Sequence, residues 1–216
     1  MRTVRVKCRS RKGSTLLMAP MSKEKLNEIR GGPGGRKPVV RDLPAEEEAA
    51  RQIYRDSDGR IGLPTYMLRK ALVLAGTKVP LRGKVNVTRA SDGATELHSF
   101  LWILDNFLVF TNIPAGSEEQ KKHWQVSLVR GSQTQTKGKG GGAVAIVRPE
   151  FPQWEFTVTI HFDETRAHED VIKRLFTEAG LTQGLGSWRP NRGGDHGQFE
   201  VVEWTDITEQ AATEAA

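Results

Sequence analysis

The stretch that most constrains this chain is WEFTVTIHF, residues 154–162. Trp154, Phe156, Val158, Ile160 and Phe162 alternate there with Glu155, Thr157, Thr159 and His161. Successive side chains of a strand point to opposite faces, so this is a half-buried strand with a large apolar face. Residues 3–9 repeat the pattern. Val4, Val6 and Cys8 share one face, and Arg5, Lys7 and Arg9 give the other a fully basic character.

Other elements follow from periodicity and punctuation. Leu16, Leu17 and Met18 form a short apolar anchor. Ser22 caps a helix-like stretch over 23–30, and GGPGGRKP at 31–38 is a basic flexible loop. Residues 45–54 carry acids in a first helical turn, which suits the helix dipole. Residues 64–75 are an amphipathic helix with proline at its start and Gly76 at its end. Residues 85–89 read as a strand. Residues 97–111 are densely apolar, with Asp105 and Asn106 marking either a turn between two short strands or a bend in one. Strands over 124–130 and 143–148 make a long hairpin whose tip, GSQTQTKGKGGG, is expected to move when free. A helix over 167–179 packs Val171, Ile172, Leu175 and Phe176, and a strand over 198–204 closes the chain.

Between that helix and strand lie Gly180, Gly184, Gly186, Gly193, Gly194 and Gly197, around Trp188, Arg189 and Arg192. Glycine lets a backbone turn tightly and approach a ligand closely. A loop this rich in glycine is costly to order, which points to a ligand or a neighbouring subunit. A long connection around a domain edge is the simpler alternative. The element order predicts an α+β fold: a ferredoxin-like (RRM-like) antiparallel sheet with helices and large insertions. One domain spans 1–208, with insertions at 20–60 and a projecting β-hairpin finger at 124–148. Residues 209–216 are a disordered tail.

Charge narrows the function. The formal net charge is +6, and 21 of the 32 Lys+Arg fall in residues 1–90 against 8 of the 26 Asp+Glu. A basic half beside an acidic half suits nucleic-acid binding by one face, and equally head-to-tail self-association. Cys8 is the only cysteine, so no disulfide forms within the chain, which fits a reducing compartment. No apolar run approaches the roughly 18 residues of a membrane span. A cytoplasmic protein, of a bacterium or an infected host cell, is expected, with no membrane partner.

The histidines lack metal-ligand spacing, and His161, Asp163 and His168 read as a solvated strand end. No nucleophile elbow, phosphate loop or dinucleotide fingerprint is present. No cofactor or metal is expected. The cations that suit a polyanion are Arg5, Lys7, Arg9, Arg36, Lys37, Arg69, Lys70, Arg82, Lys84, Lys137, Lys139, Arg189 and Arg192, read as one track. Tyr66 and Trp188 offer rings for base stacking. His196 lies near Arg189 and Arg192 and makes metal-independent RNA cleavage a further option.

These features resemble the RAMP superfamily of CRISPR-associated proteins, especially the repeated backbone subunits that coat guide RNA. The matching segments are VRVKCRS leading to STLLM, the helix LPTYMLRKALVLAG, the finger around KGKGGG, and WEFTVTIHF followed by AGLTQGLGSWRPNRGGDHGQFEVV. Phage-encoded proteins of similar length are one origin the resemblance implies. It further implies a ferredoxin-like palm, a thumb-like hairpin and head-to-tail filament assembly, with loop 184–197 and helix 64–75 near a basic groove. The chain is shorter than typical backbone subunits, and the resemblance places no target-cleaving aspartate on it.

The leading expectation is therefore a non-catalytic protein that coats single-stranded RNA or DNA as a side-by-side homo-oligomer or filament. A structural or assembly protein, for instance of a virion, using the charge halves for docking is the alternative. A metal-independent endoribonuclease is the third reading.

Overall fold

The computed structural model describes residues 1–20, 43–132 and 143–209. Its strands are β1 (Arg2–Ser10), β2 (Leu16–Leu17), β3 (Gly62–Pro64), β4 (Pro80–Arg82), β5 (Val85–Asn86), β6 (Leu101–Ile103), β7 (Phe107–Val109), β8 (Gln125–Ser132), β9 (Ala143–Phe151), β10 (Glu155–Phe162) and β11 (Phe199–Asp206). Its helices are α1 (Ala45–Ala50), α2 (Thr65–Ala75), α3 (Ser117–Lys121) and α4 (Glu169–Glu178). The fold is mixed, with antiparallel sheets and few helices, as an α+β class requires.

The two alternating segments form the centre of the main sheet. Its order is β11–β1–β10–β6, with every neighbouring pair antiparallel. Val4, Val6 and Cys8 stand opposite Ile160, Val158 and Phe156, and all six are fully buried. Their face is the apolar one on both strands, so the register aligns the two hydrophobic rows. In chain order α2 lies between β1 and β6, and α4 joins β10 to β11. Leu68 and Leu72 of α2, and Ile172, Leu175 and Phe176 of α4, share one buried cluster with Val4 and Val158. Both helices therefore cover the apolar face and leave the other face open.

A second, smaller sheet runs β2–β9–β8. The anchor predicted at 16–18 is fully buried, and Leu16 and Leu17 pair with Phe151 and Glu150 of β9. An aromatic cluster sits where this sheet meets the first. Trp154 stacks on Phe156 with ring centroids 6.1 Å apart, Phe199 stands edge-on to both, and Phe110 meets Phe151 and Trp154.

The turn at Asp105–Asn106 does separate two strands, but they enter different sheets. β6 takes the edge of the main sheet, whereas β7 pairs with β3. The switch is pinned by Asp105, whose carboxylate accepts the Thr159 N–H at 2.5 Å on the sheet edge. The strand expected over 85–89 is shorter, because Val87 and Thr88 turn inward and Thr88 N–H bonds the Gly76 carbonyl. Gly76 is not a left-handed cap but a place of close approach, since a Cβ there would meet the Thr88 hydroxyl. The helix expected over 45–54 ends at Ala50. The helix expected over 23–30, the basic loop 31–38, the hairpin tip 133–142 and the tail from 210 lie outside the described residues.

Arg2 ties the first strand to the last. Its guanidinium reaches Asp206 at 2.6 Å, Glu169 at 2.5 Å and Glu164 at 3.1 Å. Hydrogen bonds from Thr208, and then from Arg2, hold the Asp206 carboxyl at about 2. A folded value below the unfolded one, about 4, stabilises the protein above that pH and is lost as pH falls through about 2. Asp206→Asn should therefore melt below the wild type near neutral pH, and the two melting temperatures should converge as acid is added. A gap that stays constant with pH would assign the effect to packing instead.

Candidate nucleic-acid interface

The outward face of α2 is short of partners. Leu68, Ala71, Leu72 and Ala75 face the core, so Tyr66, Arg69 and Lys70 point to water at helical spacing. Tyr66 is 57% exposed. Neither Arg69 nor Lys70 makes an ion pair among the described residues.

The glycine loop meets this face. α4 continues into a wide turn, Ala179–Gln183, that packs against α2. Pro190–Arg192 then form a single tight turn. The loop docks on the anchor segment: Ser187 N–H bonds the Leu17 carbonyl, and Gly197 N–H bonds the Thr15 carbonyl. Trp188 sits at φ 51, a conformation that L side chains rarely adopt. It is held there by the His196 N–H on its carbonyl and by Gly194, where a Cβ would run into that same carbonyl. Trp188 is left 44% exposed. Residues held in such sparsely populated backbone conformations cluster at functional sites.

The glycines themselves act differently from the sequence expectation. A Cβ on Gly180, Gly184, Gly186, Gly194 or Gly197 would meet the chain's own atoms at close range. Of the six, Gly193 alone has open space around it. They fold the loop against itself and against β2, and the side chains, not the glycine backbone, present the surface.

Arg189 bonds Asn191 at 2.8 Å, and Asn191 bonds Gln183 at 3.2 Å, so the guanidinium is oriented. Burial, and then the charge of Arg192, lower its ordinary value, while Tyr66 acts the other way. The turn at Ala179–Gln183 contacts both α2 and Pro190–Arg192, so the loop that carries Arg189 and Arg192 adjoins the helix through it. Beyond Tyr66 lies Tyr54, whose phenol is pushed up by burial and then by Tyr66, with Arg148 opposing. Arg148 also bonds the Gln52 side-chain carbonyl. Tyr54 and Arg148 carry no signal of their own in the sequence, where they end an expected helix over 45–54 and an expected strand over 143–148.

His196 is set beside this surface by a relay. The Thr15 hydroxyl donates to the Glu150 carboxylate at 2.7 Å and lies 2.8 Å from His196 Nδ1. Its only proton is spent on Glu150, so it accepts from Nδ1–H. That leaves Nε2, 3.5 Å from Asp195, outside the chain of bonds. Neither Thr15 nor Glu150 had any sequence signal, because they lie far from His196 along the chain.

The remaining cations do not form one track with these. Arg5, Lys7 and Arg9 lie on the open face of the sheet, away from α2 and α4. Glu155 pairs with Lys7 at 3.2 Å and Glu200 with Arg9 at 2.8 Å, so that face is not fully basic. A cavity of about 410 Å³ at the end of β1 is lined by Arg9, Arg11 and Lys12 but also by Glu155 and Glu200. Arg82 and Lys84 are exposed on the β4–β5 hairpin, beyond the far end of α2. Arg36, Lys37, Lys137 and Lys139 lie outside the described residues. Cys8 is fully buried, which pushes its thiol up. His161, Asp163 and His168 are engaged separately, with Thr3, with Thr165 and as the cap of α4.

No protein-family model and no curated protein sequence matches the chain. Among the described residues, no helix is long and apolar enough to cross a membrane.

Proposed function

We propose that this chain binds single-stranded nucleic acid without cleaving it and coats the strand as a side-by-side oligomer. The observation that carries the reading is that Arg69 and Lys70 on α2, and Arg189 and Arg192 on the loop whose root packs on α2, make no ion pair among the described residues, while Tyr66 of the helix and Trp188 of the loop are exposed. Cations that release counterions from phosphate supply affinity, and exposed rings hold bases without regard to sequence. In this reading the four-stranded sheet with two crossing helices is a ferredoxin-like core, and the β8–β9 hairpin is its thumb, as in the RAMP superfamily. The uneven charge along the chain supports head-to-tail contact between copies. Purification at low salt tests the pair of claims. The protein should elute as a multimer with a high 260-to-280 nm absorbance ratio, and high salt should strip the nucleic acid. A multimer free of nucleic acid would move the charge halves to assembly alone.

The Glu150–Thr15–His196 relay favours one second reading, metal-independent RNA cleavage. There, His196 Nε2 takes the 2′-hydroxyl proton, the oxygen attacks phosphorus, and the departing 5′-oxygen takes a proton from water. His196→Ala should then abolish cleavage of an RNA oligonucleotide while binding persists. Cleavage that survives in His196→Ala, or that never occurs with the wild type, ends this reading.

A further inference from the structure

The open face of the main sheet carries a second surface, separate from the α2 and glycine-loop cluster. The register sets its outward side chains in rows. Trp102 of β6 stands opposite His161, and His161 opposite Thr3. In the next row the Leu104 N–H bonds the Thr159 carbonyl at 2.9 Å, Thr159 stands opposite Arg5, and Arg5 opposite Thr205. The two rows beyond hold Lys7 and Arg9 with Glu155, Glu200 and Glu203.

The face is thus split into halves of different chemistry. In the far half, cations and carboxylates balance. In the near half no carboxylate occupies a row position; Asp105, at the edge, accepts the Thr159 N–H, and Glu203 accepts the Thr205 hydroxyl. Arg5 is exposed and makes no ion pair among the described residues. Trp102 is 39% and Leu104 55% exposed, and the Trp102 ring lies 6.1 Å from that of His161 at a 48° tilt. A tryptophan and a leucine left in water beside an unpaired guanidinium contribute nothing to the core, which lies on the other side of the sheet.

We propose that this half-face is a base-stacking platform for single-stranded nucleic acid. Trp102 is the stacking ring, His161 flanks it, Arg5 holds a phosphate, and the Thr159 hydroxyl is free to meet sugar or base edges. A duplex would not offer unstacked bases to the ring. The platform rests on the single-strand reading above, and gives that strand a second point of attachment across the sheet from the first.

The test is fluorescence anisotropy with labelled oligouridine and oligothymidine of about 30 nucleotides, long enough to span more than one contact. Trp102→Ala and Arg5→Gln should each weaken binding, the former by about 5- to 100-fold, and Trp102→Phe should restore most of it. Ultraviolet cross-linking of a bromouridine probe to the wild type should map to the peptide containing Trp102, a readout that does not depend on any variant folding. If the wild type binds no probe, the single-strand reading fails and the platform with it. If Arg69→Gln/Lys70→Gln weakens binding while Trp102→Ala does not, and no cross-link reaches Trp102, the platform alone is overturned. If Trp102→Ala instead turns a multimer into a monomer at unchanged affinity, the face belongs to a second copy of the chain, and the platform is likewise overturned.

Discussion

Replacing Arg69, Lys70, Arg189 and Arg192 together by glutamine should weaken single-strand binding by about 10²–10³-fold at about 0.1 M salt. The slope of log affinity against log salt should flatten by about 3, because each phosphate contact on a single strand contributes about 0.7. All four cations lack an ion pair among the described residues, so none is already neutralised in the free protein. Their removal leaves no carboxylate stranded; Arg69, Lys70 and Arg192 are surface changes that stay within about 0.5 kcal/mol each, and Arg189 also gives up its bond to Asn191. The melting temperature should therefore fall only slightly while the affinity collapses. Lys7→Gln/Arg9→Gln is the control. Those two cations already face Glu155 and Glu200, and losing them should change the salt slope far less. Equal effects from the two variants would dissolve the distinction between the α2 surface and the far half of the sheet.

The largest effect on stability should come from Gly197→Ala. Gly197 sits at φ 75, and a Cβ there would run into the Leu185 carbonyl and backbone. The left-handed conformation costs an alanine about 1–2 kcal/mol, and the forced backbone shift about 1–3 more. For a chain of this size the melting temperature should fall by roughly 4–20 °C. Gly193→Ala separates the two causes. It shares a positive φ of 78 but has nothing within 4 Å, so it should cost only the conformational part. Equal losses at both positions would mean that the loop yields, and that its close approach to Leu185 does not hold it. Because Gly197 also bonds Thr15, Gly197→Ala should loosen the loop from β2 and lower nucleic-acid affinity as well.

What could be read in advance was what local pattern encodes. The alternation of β1 and β10 placed Val4, Val6, Phe156 and Val158 on the buried face, and the amphipathic period of α2 placed Tyr66, Arg69 and Lys70 on the wet one. That the loop carrying Arg189 adjoins α2 depends on how α4 runs on into the turn at 179–183 and packs on α2, which no local period reports. The basic face of β1 was misjudged for the same reason. Lys7 and Arg9 look free along the chain, and only the register brings Glu155 and Glu200 beside them. Trp102 was hidden in an apolar run whose neighbours Leu101 and Leu108 are truly buried. Along the chain the glycines suggest room for a ligand or a neighbouring subunit, but room and close self-packing demand the same residue. Only the positions of Leu17, Leu185 and the Trp188 carbonyl separate the two.

The most direct measurement is the affinity of the wild type for labelled single-stranded RNA and DNA of increasing length, at low and at moderate salt. The account predicts binding that falls steeply with salt and rises in steps with length as further copies join the strand. Absence of binding to every length at low salt would contradict it and leave the charged halves to protein–protein assembly.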